Sequence, residues 1–208
     1  MRKPTALSTA VFLCLLFLSC AADAAQPKNN PFKKLLADSG MTFTMPEGFK
    51  EVPVIENGDV IYNYAIAHKE KKLEIRYMIE PLKDALTDKN SPAAYENAGY
   101  DSTLMTICLN ITGGQLCNLQ QFYHDDVMAE FNGDDGYTTF APLNSEFGKG
   151  FETSNFFVIH KNNTANAYIF FMQDDPRPLL DLITRDDVFH ALKFIETPKP
   201  DSTPKPKR

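Results

Sequence analysis

The chain has 208 residues and a formal net charge of −6, with 27 Asp and Glu against 21 Lys and Arg. That acidic balance disfavours nucleic acid and anionic membrane surfaces as partners. A hydrophobic content of 43% over this length fits one globular domain with a buried core, not a disordered chain.

The first 24 residues read as a secretory signal peptide. Arg2 and Lys3 form a positive start, residues 6–18 are apolar, and Ala22-Asp23-Ala24 presents small residues at the two positions a signal peptidase gauges. The apolar run falls short of the roughly 20 residues that a membrane-spanning helix needs. Cleavage after Ala24 removes Arg2, Lys3 and Asp23, which takes the net charge from −6 to −7. Cys20 opens a second route. It follows Phe17-Leu18-Ser19, which resembles the lipobox of bacterial lipoproteins, where the cysteine is acylated. The usual leucine three positions earlier is here Phe17. The expected address is therefore periplasmic or secreted, with a lipid-anchored envelope protein as the alternative.

Cys14 and Cys20 lie in the leader and leave Cys108 and Cys117, nine positions apart. In an oxidising compartment such a pair predicts a disulfide, and closing so short a loop stabilises by about 2–3 kcal/mol. Two buried free thiols are the alternative. A zinc site would need two more ligands, and His124 alone lies near.

Residues 25–40 are expected to be an N-terminal tether and residues 41–195 a single domain. Met41 to Met45 alternates as a short strand ended by Pro46, and residues 49–55 read as a second extended piece. Residues 60–68 and 73–81 form a hairpin around Lys69-Glu70-Lys71-Lys72. Leu73, Ile75, Tyr77 and Ile79 share one face, with Glu74, Arg76, Met78 and Glu80 on a solvated one. A polar loop follows over 83–92. Asp101 or Ser102 is expected to cap a helix burying Leu104, Met105, Ile107, Cys108 and Ile111, broken at Gly113-Gly114. A second helix is expected to carry Leu116, Leu119, Phe122, Val127 and Phe131, with the cysteines at a helix–helix corner.

Residues 137–143 read as a strand, and 151–160 with 167–173 as a hairpin apolar on both faces, hence central in its sheet. Residues 178–194 read as a closing helix with Leu179, Leu182, Ile183, Val188, Leu192 and Ile195 inward. The prolines and lysines of 196–208 predict a disordered tail.

The usual catalytic and cofactor signatures are missing: nucleophile elbow, phosphate loop, dinucleotide fingerprint, His-Glu-x-x-His and Cys-x-x-Cys. The sequence therefore assigns no catalytic residue, no cofactor and no metal. His68, His124, His160 and His190 are dispersed. The surface-site candidates are His124, Asp125 and Glu130, residue types that serve acid–base chemistry, although neighbours on a helix diverge and only Asp126 and Glu130 share a face. Asn132-Gly133-Asp134-Asp135-Gly136 has the composition of a calcium loop but lacks alternate-position ligands and a distal bidentate Glu; helix stop plus turn accounts for it. Asn110-Ile111-Thr112 and Asn162-Asn163-Thr164 are glycosylation sequons in a eukaryotic host.

The element order, with Phe43-Thr44-Met45-Pro46-Glu47-Gly48-Phe49 at the start and Tyr168 to Met172 leading to Ala191-Leu192-Lys193-Phe194 at the end, resembles the PsbP-like superfamily. The resemblance covers residues 41–195. It implies an α+β fold, a mainly antiparallel sheet with helices packed on its faces (an α/β/α sandwich), and an accessory or binding role without a catalytic set to carry over. The functional expectation is an exported non-enzymatic binding or accessory protein whose partner is a protein or small molecule. A hydrolase-like enzyme assembled from dispersed residues, or an immunity or inhibitor protein, is the alternative.

Overall fold

A computed structural model of the chain describes residues 30–82, 92–175, 177 and 186–196. The leader with Cys20, the loop over 83–91, residues 178–185 of the expected closing helix and the tail from 197 onward lie outside the described residues. In chain order the elements are α1 (Pro31–Asp38), β1 (Met41–Phe43), β2 (Phe49–Glu51), β3 (Tyr64–His68), β4 (Leu73–Pro81), α2 (Pro92–Thr112), β5 (Gln120–Gln121), α3 (His124–Phe131), β6 (Asp135–Pro142), α4 (Ser145–Gly148), β7 (Thr153–Lys161), β8 (Ala165–Gln173), α5 (Asp186–Phe189) and β9 (Leu192–Phe194).

The protein has an α+β fold. Seven antiparallel strands run in the order β2-β3-β4-β8-β7-β6-β5, and β1 pairs with β9 in a separate two-stranded ribbon. Strand β8 lies at the centre, and all nine of its residues are buried. Its alternating side chains feed two cores. Tyr168, Phe170 and Met172 join Phe156 and Val158 of β7 under Leu104, Ile107, Cys108 and Ile111 of α2 and Phe147 of α4. Ile169 and Phe171 join Phe157, Ile75 and Tyr77 under α3, α5 and the β1–β9 ribbon, through Phe131, Val188, Met41 and Phe194. The β7–β8 hairpin is thus central, as its apolar faces predict.

Five differences from the sequence reading have physical causes. First, β4 has no solvated face. It pairs with β8 along its length, and Phe147 of α4 and Tyr62 pack over its second side at Arg76, which is 1% exposed, while Glu74, Met78 and Glu80 are half-buried. Its Nε donates to Glu74 Oε1 at 2.6 Å and its Nη1 to the Phe147 carbonyl, while the guanidinium lies 5.0 Å from the Tyr62 ring centre and 4.9 Å from that of Phe147.

Second, the expected helix around Leu116 is extended. Gly113 and Gly114 take φ of 73° and 104°, a region open to glycine, and reverse the chain. The Cys108–Cys117 disulfide then holds it against α2, with the Cα atoms 6.1 Å apart. Residues 120–121 pair with β6 instead, leaving Leu116 exposed, and the helix starts only at His124. The bridge therefore joins a helix to an extended segment, not two helices.

Third, α2 begins at Pro92, well before Asp101, and kinks at Gly99 (φ −129°, ψ 25°); Asp101 Oδ1 accepts from the next backbone N–H and starts no helix. Fourth, Pro31–Asp38, within the expected tether, is helical. Asn30 caps it by accepting from the N–H groups of Phe32 and Lys33, and Phe32 stacks on Tyr64 with ring centres 3.7 Å apart. Fifth, the closing helix expected over 178–194 is helical at Asp186–Phe189 but gives way to a strand at Leu192–Phe194. Leu192 and Phe194 are buried with Lys193 exposed between them, a period of two that pairs with β1, which pairs with no other strand among the described residues. Ile195 points outward.

Reducing the disulfide, or replacing Cys117 with Ser, is expected to lower stability by about 2–3 kcal/mol, read as a shift in urea midpoint with and without reductant. Arg76→Ala is expected to cost about 3–5 kcal/mol, because it strands Glu74 and a buried carbonyl. Arg76→Met, which retains bulk against Tyr62 and Phe147, should cost less in the same urea series.

Candidate functional site

The three surface candidates do not converge. His124 opens α3, where its Nδ1 lies 2.6 Å from the Asp134 carbonyl. Asp125 is exposed in the first turn. Glu130 sits at the far end of the helix and pairs with His190 Nε2 at 3.2 Å. Among the described residues no group of three or more His, Cys, Asp or Glu is placed to hold a metal ion. Asn132 to Gly136 form a helix stop and the start of β6. Asn132 is left-handed (φ 54°), Asp134 Oδ2 accepts from Asn162, and Asp135 accepts from Tyr100, Gly136 and Gln121. Both sequon asparagines have their amides engaged, Asn110 on the Asp59 carbonyl and Asn162 on Asp134.

A more catalytic-looking group lies where α2 meets the ends of β6 to β8, and nothing local in the sequence signals it. Tyr100 donates to Asp135 Oδ2 at 2.5 Å, and its ring stacks on His160 with centres 4.2 Å apart and planes 6° from parallel. His160 is 2% exposed; Nδ1 meets Asn166 Oδ1 at 2.7 Å and Nε2 meets Asn162 Oδ1 at 3.4 Å. Burial, then the bond to Asp135, raises the Tyr100 phenol above its ordinary value. Every ring nitrogen and the phenol are already engaged, so this is a polar knot that closes the end of the sheet.

Among the described residues, three surface hollows bear on function. The first, 470 Å³, lies between α1 and β2–β3 and includes Glu51, Asn63 and Tyr64. Tyr64 donates to Glu51 Oε2 at 3.1 Å, and burial followed by that bond raises its phenol, which stays protonated and cannot serve as a base. The second, 290 Å³, lies beneath the loop carrying exposed Val54, Ile55 and Ile61.

The third, 380 Å³, lies over β5–β7 and is lined by Asn118, Gln120, Thr138, Thr139, Phe140 and Asn155. Register builds it. Gln120 pairs with Thr138 and Phe140 with Asn155, so these four side chains share one face. Next to it, Gly136 permits close packing: a Cβ there would stand 2.7 Å from the Val158 carbonyl and 2.9 Å from the Phe122 ring. Thr139 Oγ1 donates to the Asn118 carbonyl at 3.0 Å and fixes the rim. The amides of Asn118, Gln120 and Asn155 make no side-chain hydrogen bond among the described residues, and Phe140 is 54% exposed. No lining residue carries charge. The alternating Thr138 and Phe140 were visible as strand residues, but their union with Gln120 required the unforeseen β5.

Tyr100→Phe is expected to cost about 1 kcal/mol, since Asp135 keeps its other donors. A phenol raised in the folded state contributes fully below the unfolded value of about 10 and loses that contribution as pH climbs toward the folded one. Urea midpoints between pH 8 and 11 should therefore fall less steeply for Tyr100→Phe than for the unchanged protein. Comparison with protein-family models and with curated proteins finds no match.

Proposed function

We propose that this chain is an exported, non-enzymatic binding protein of the cell envelope. The observation that carries the reading is the hollow over β5–β7, which offers hydrogen-bonding amides and an exposed ring but no ionisable group. Such a surface can recognise a ligand and has no acid or base to move a proton or to activate the Thr138 hydroxyl. The disulfide supports an oxidising compartment, and among the described residues no helix is long and apolar enough to cross a membrane. Free periplasmic or secreted protein is the form favoured by the Ala22-Asp23-Ala24 site, with acylation at Cys20 as the alternative. An accessory role is also what the resemblance to PsbP-like proteins implies, and membership of that superfamily is part of the proposal.

The test sets binding against turnover. The purified protein is screened by thermal shift against small neutral and charged ligands, and by product detection against ester, amide, phosphate and glycoside substrates. The reading expects ligands that raise the melting temperature and no substrate consumed. Reproducible turnover of any of these substrates by the purified protein would sink it and favour a hydrolase. Mass spectrometry of the same exported protein should give an N-terminus at Ala25; an acylated Cys20 would move it to the membrane surface.

A further inference from the structure

We propose that the hollow over β5–β7 is a subsite for an uncharged saccharide, with Phe140 as the stacking platform and the amides of Asn118, Gln120 and Asn155 as hydroxyl partners. The inference rests on the binding reading above and gives that reading a ligand class.

Shape and chemistry argue together. The 380 Å³ volume falls within the range of about 300–1,000 Å³ common for small-molecule sites. Phe140, at 54% exposure, keeps an aromatic ring in water at the wall of this hollow. Covering that ring with a ligand removes apolar surface from water. A pyranose presents one apolar C–H face, which lies on such a ring, and a rim of hydroxyls that both donate and accept. A carboxamide answers both needs, with two N–H donors and one carbonyl acceptor. All three amides are free to do so among the described residues, and Thr138 Oγ1, held only by a 3.4 Å bond to the Phe156 carbonyl, adds a fourth group.

The lining excludes rival ligands. Phosphate or sulfate groups are met by Arg or Lys, and cationic ligands by carboxylates; the lining has neither. An extended peptide gains its affinity by adding a strand to a sheet edge, but β5 offers two residues of edge, and the hollow lies on the face of the sheet. A planar heterocycle gains most between two rings, and Phe140 is the single aromatic side chain in the lining.

The experiment titrates 15N-labelled protein with chito-, cello- and malto-oligosaccharides, following backbone amides of Gln120, Thr138, Phe140 and Asn155 and the side-chain NH2 groups of Asn118, Gln120 and Asn155. Saturable shifts confined to these groups are expected with at least one series. Phe140→Ala should weaken binding by roughly tenfold or more, the loss of a stacking face, while Phe140→Tyr keeps it. Phe140→Leu, which retains apolar bulk without a π face, should behave like Phe140→Ala. Because Phe140 is solvent-facing, all three variants should retain the parent's dispersed spectrum. Shifts that persist unchanged in Phe140→Ala, or no saturable shift with any series, overturn the proposal. If saccharides fail while dipeptides or charged small molecules shift the same amides, the saccharide class falls and the binding reading stands. If nothing shifts them, both fall.

Discussion

The burial of β8 on both faces is the constraint from which the rest of the structure follows. A strand whose nine residues are all inaccessible needs a hydrogen-bonded neighbour on each edge and a layer over each face. The neighbours are β4 and β7, both paired with it along their lengths. The layers are α2 with α4 on one side, and α1, α3, α5 and the β1–β9 ribbon on the other. Arg76 belongs to the consequences. With α4 beside β4, its guanidinium is held by a carboxylate, a carbonyl and two aromatic faces, while Nη2 makes no hydrogen bond among the described residues. The disulfide belongs to them too, since it pins the segment leaving α2 against the helix that covers β8.

That economy decides where recognition chemistry resides. The sheet's middle is filled mainly by Phe, Ile, Tyr and Met, with Arg76 buried among them. Chemistry is left to the margins, and the margins differ. At the end of β6 to β8, polar groups turn inward and saturate one another: the Tyr100 ring covers His160, and Asn162 and Asn166 take its two nitrogens. A histidine so enclosed holds the sheet end in register and has no free position for a substrate. At the β5 edge the same kinds of group turn outward. The row that is Ile169 and Phe157 at the centre becomes Thr138 and Gln120 at the rim, and the row of Phe171 becomes Asn155 and Phe140; the amides of Gln120 and Asn155 face outward there.

What was legible in the sequence was what local pattern determines. The two-faced apolar runs of β7 and β8 declared a central hairpin, the Asn132-Gly133 stop and the Gly113-Gly114 break lie where they were read, and Cys108 and Cys117 pair. What was not legible depends on partners far along the chain. Leu192-Lys193-Phe194 carries a clear alternation, but a helical reading of the residues before it ran on through these three. Their strand conformation is decided by β1, some 150 residues earlier, which pairs with no other strand among the described residues. Arg76 sits in a perfect alternation that reads as half-buried; only knowing that β8 lies alongside reveals that the polar face is covered as well.

The candidate site was illegible for the same reason, and this bears on how it should be understood. His124, Asp125 and Glu130 drew attention because they are close in sequence and chemically capable, yet a helix spreads them over two turns and the nearby carbonyl and His190 occupy the outer two. The hollow over β5–β7 is assembled from residues that carry no reactive group and span positions 118 to 155. No motif announces such a set, because recognition by amides and one ring depends on register alone. The antiparallel pairing of β5 with β6 brings Gln120 level with Thr138. Beside that pair Gly136 permits close packing, since a Cβ there would stand 2.7 Å from the Val158 carbonyl and 2.9 Å from the Phe122 ring. A glycine that reads as a turn residue in sequence thus lies inside a strand, where the space its side chain would take is already filled.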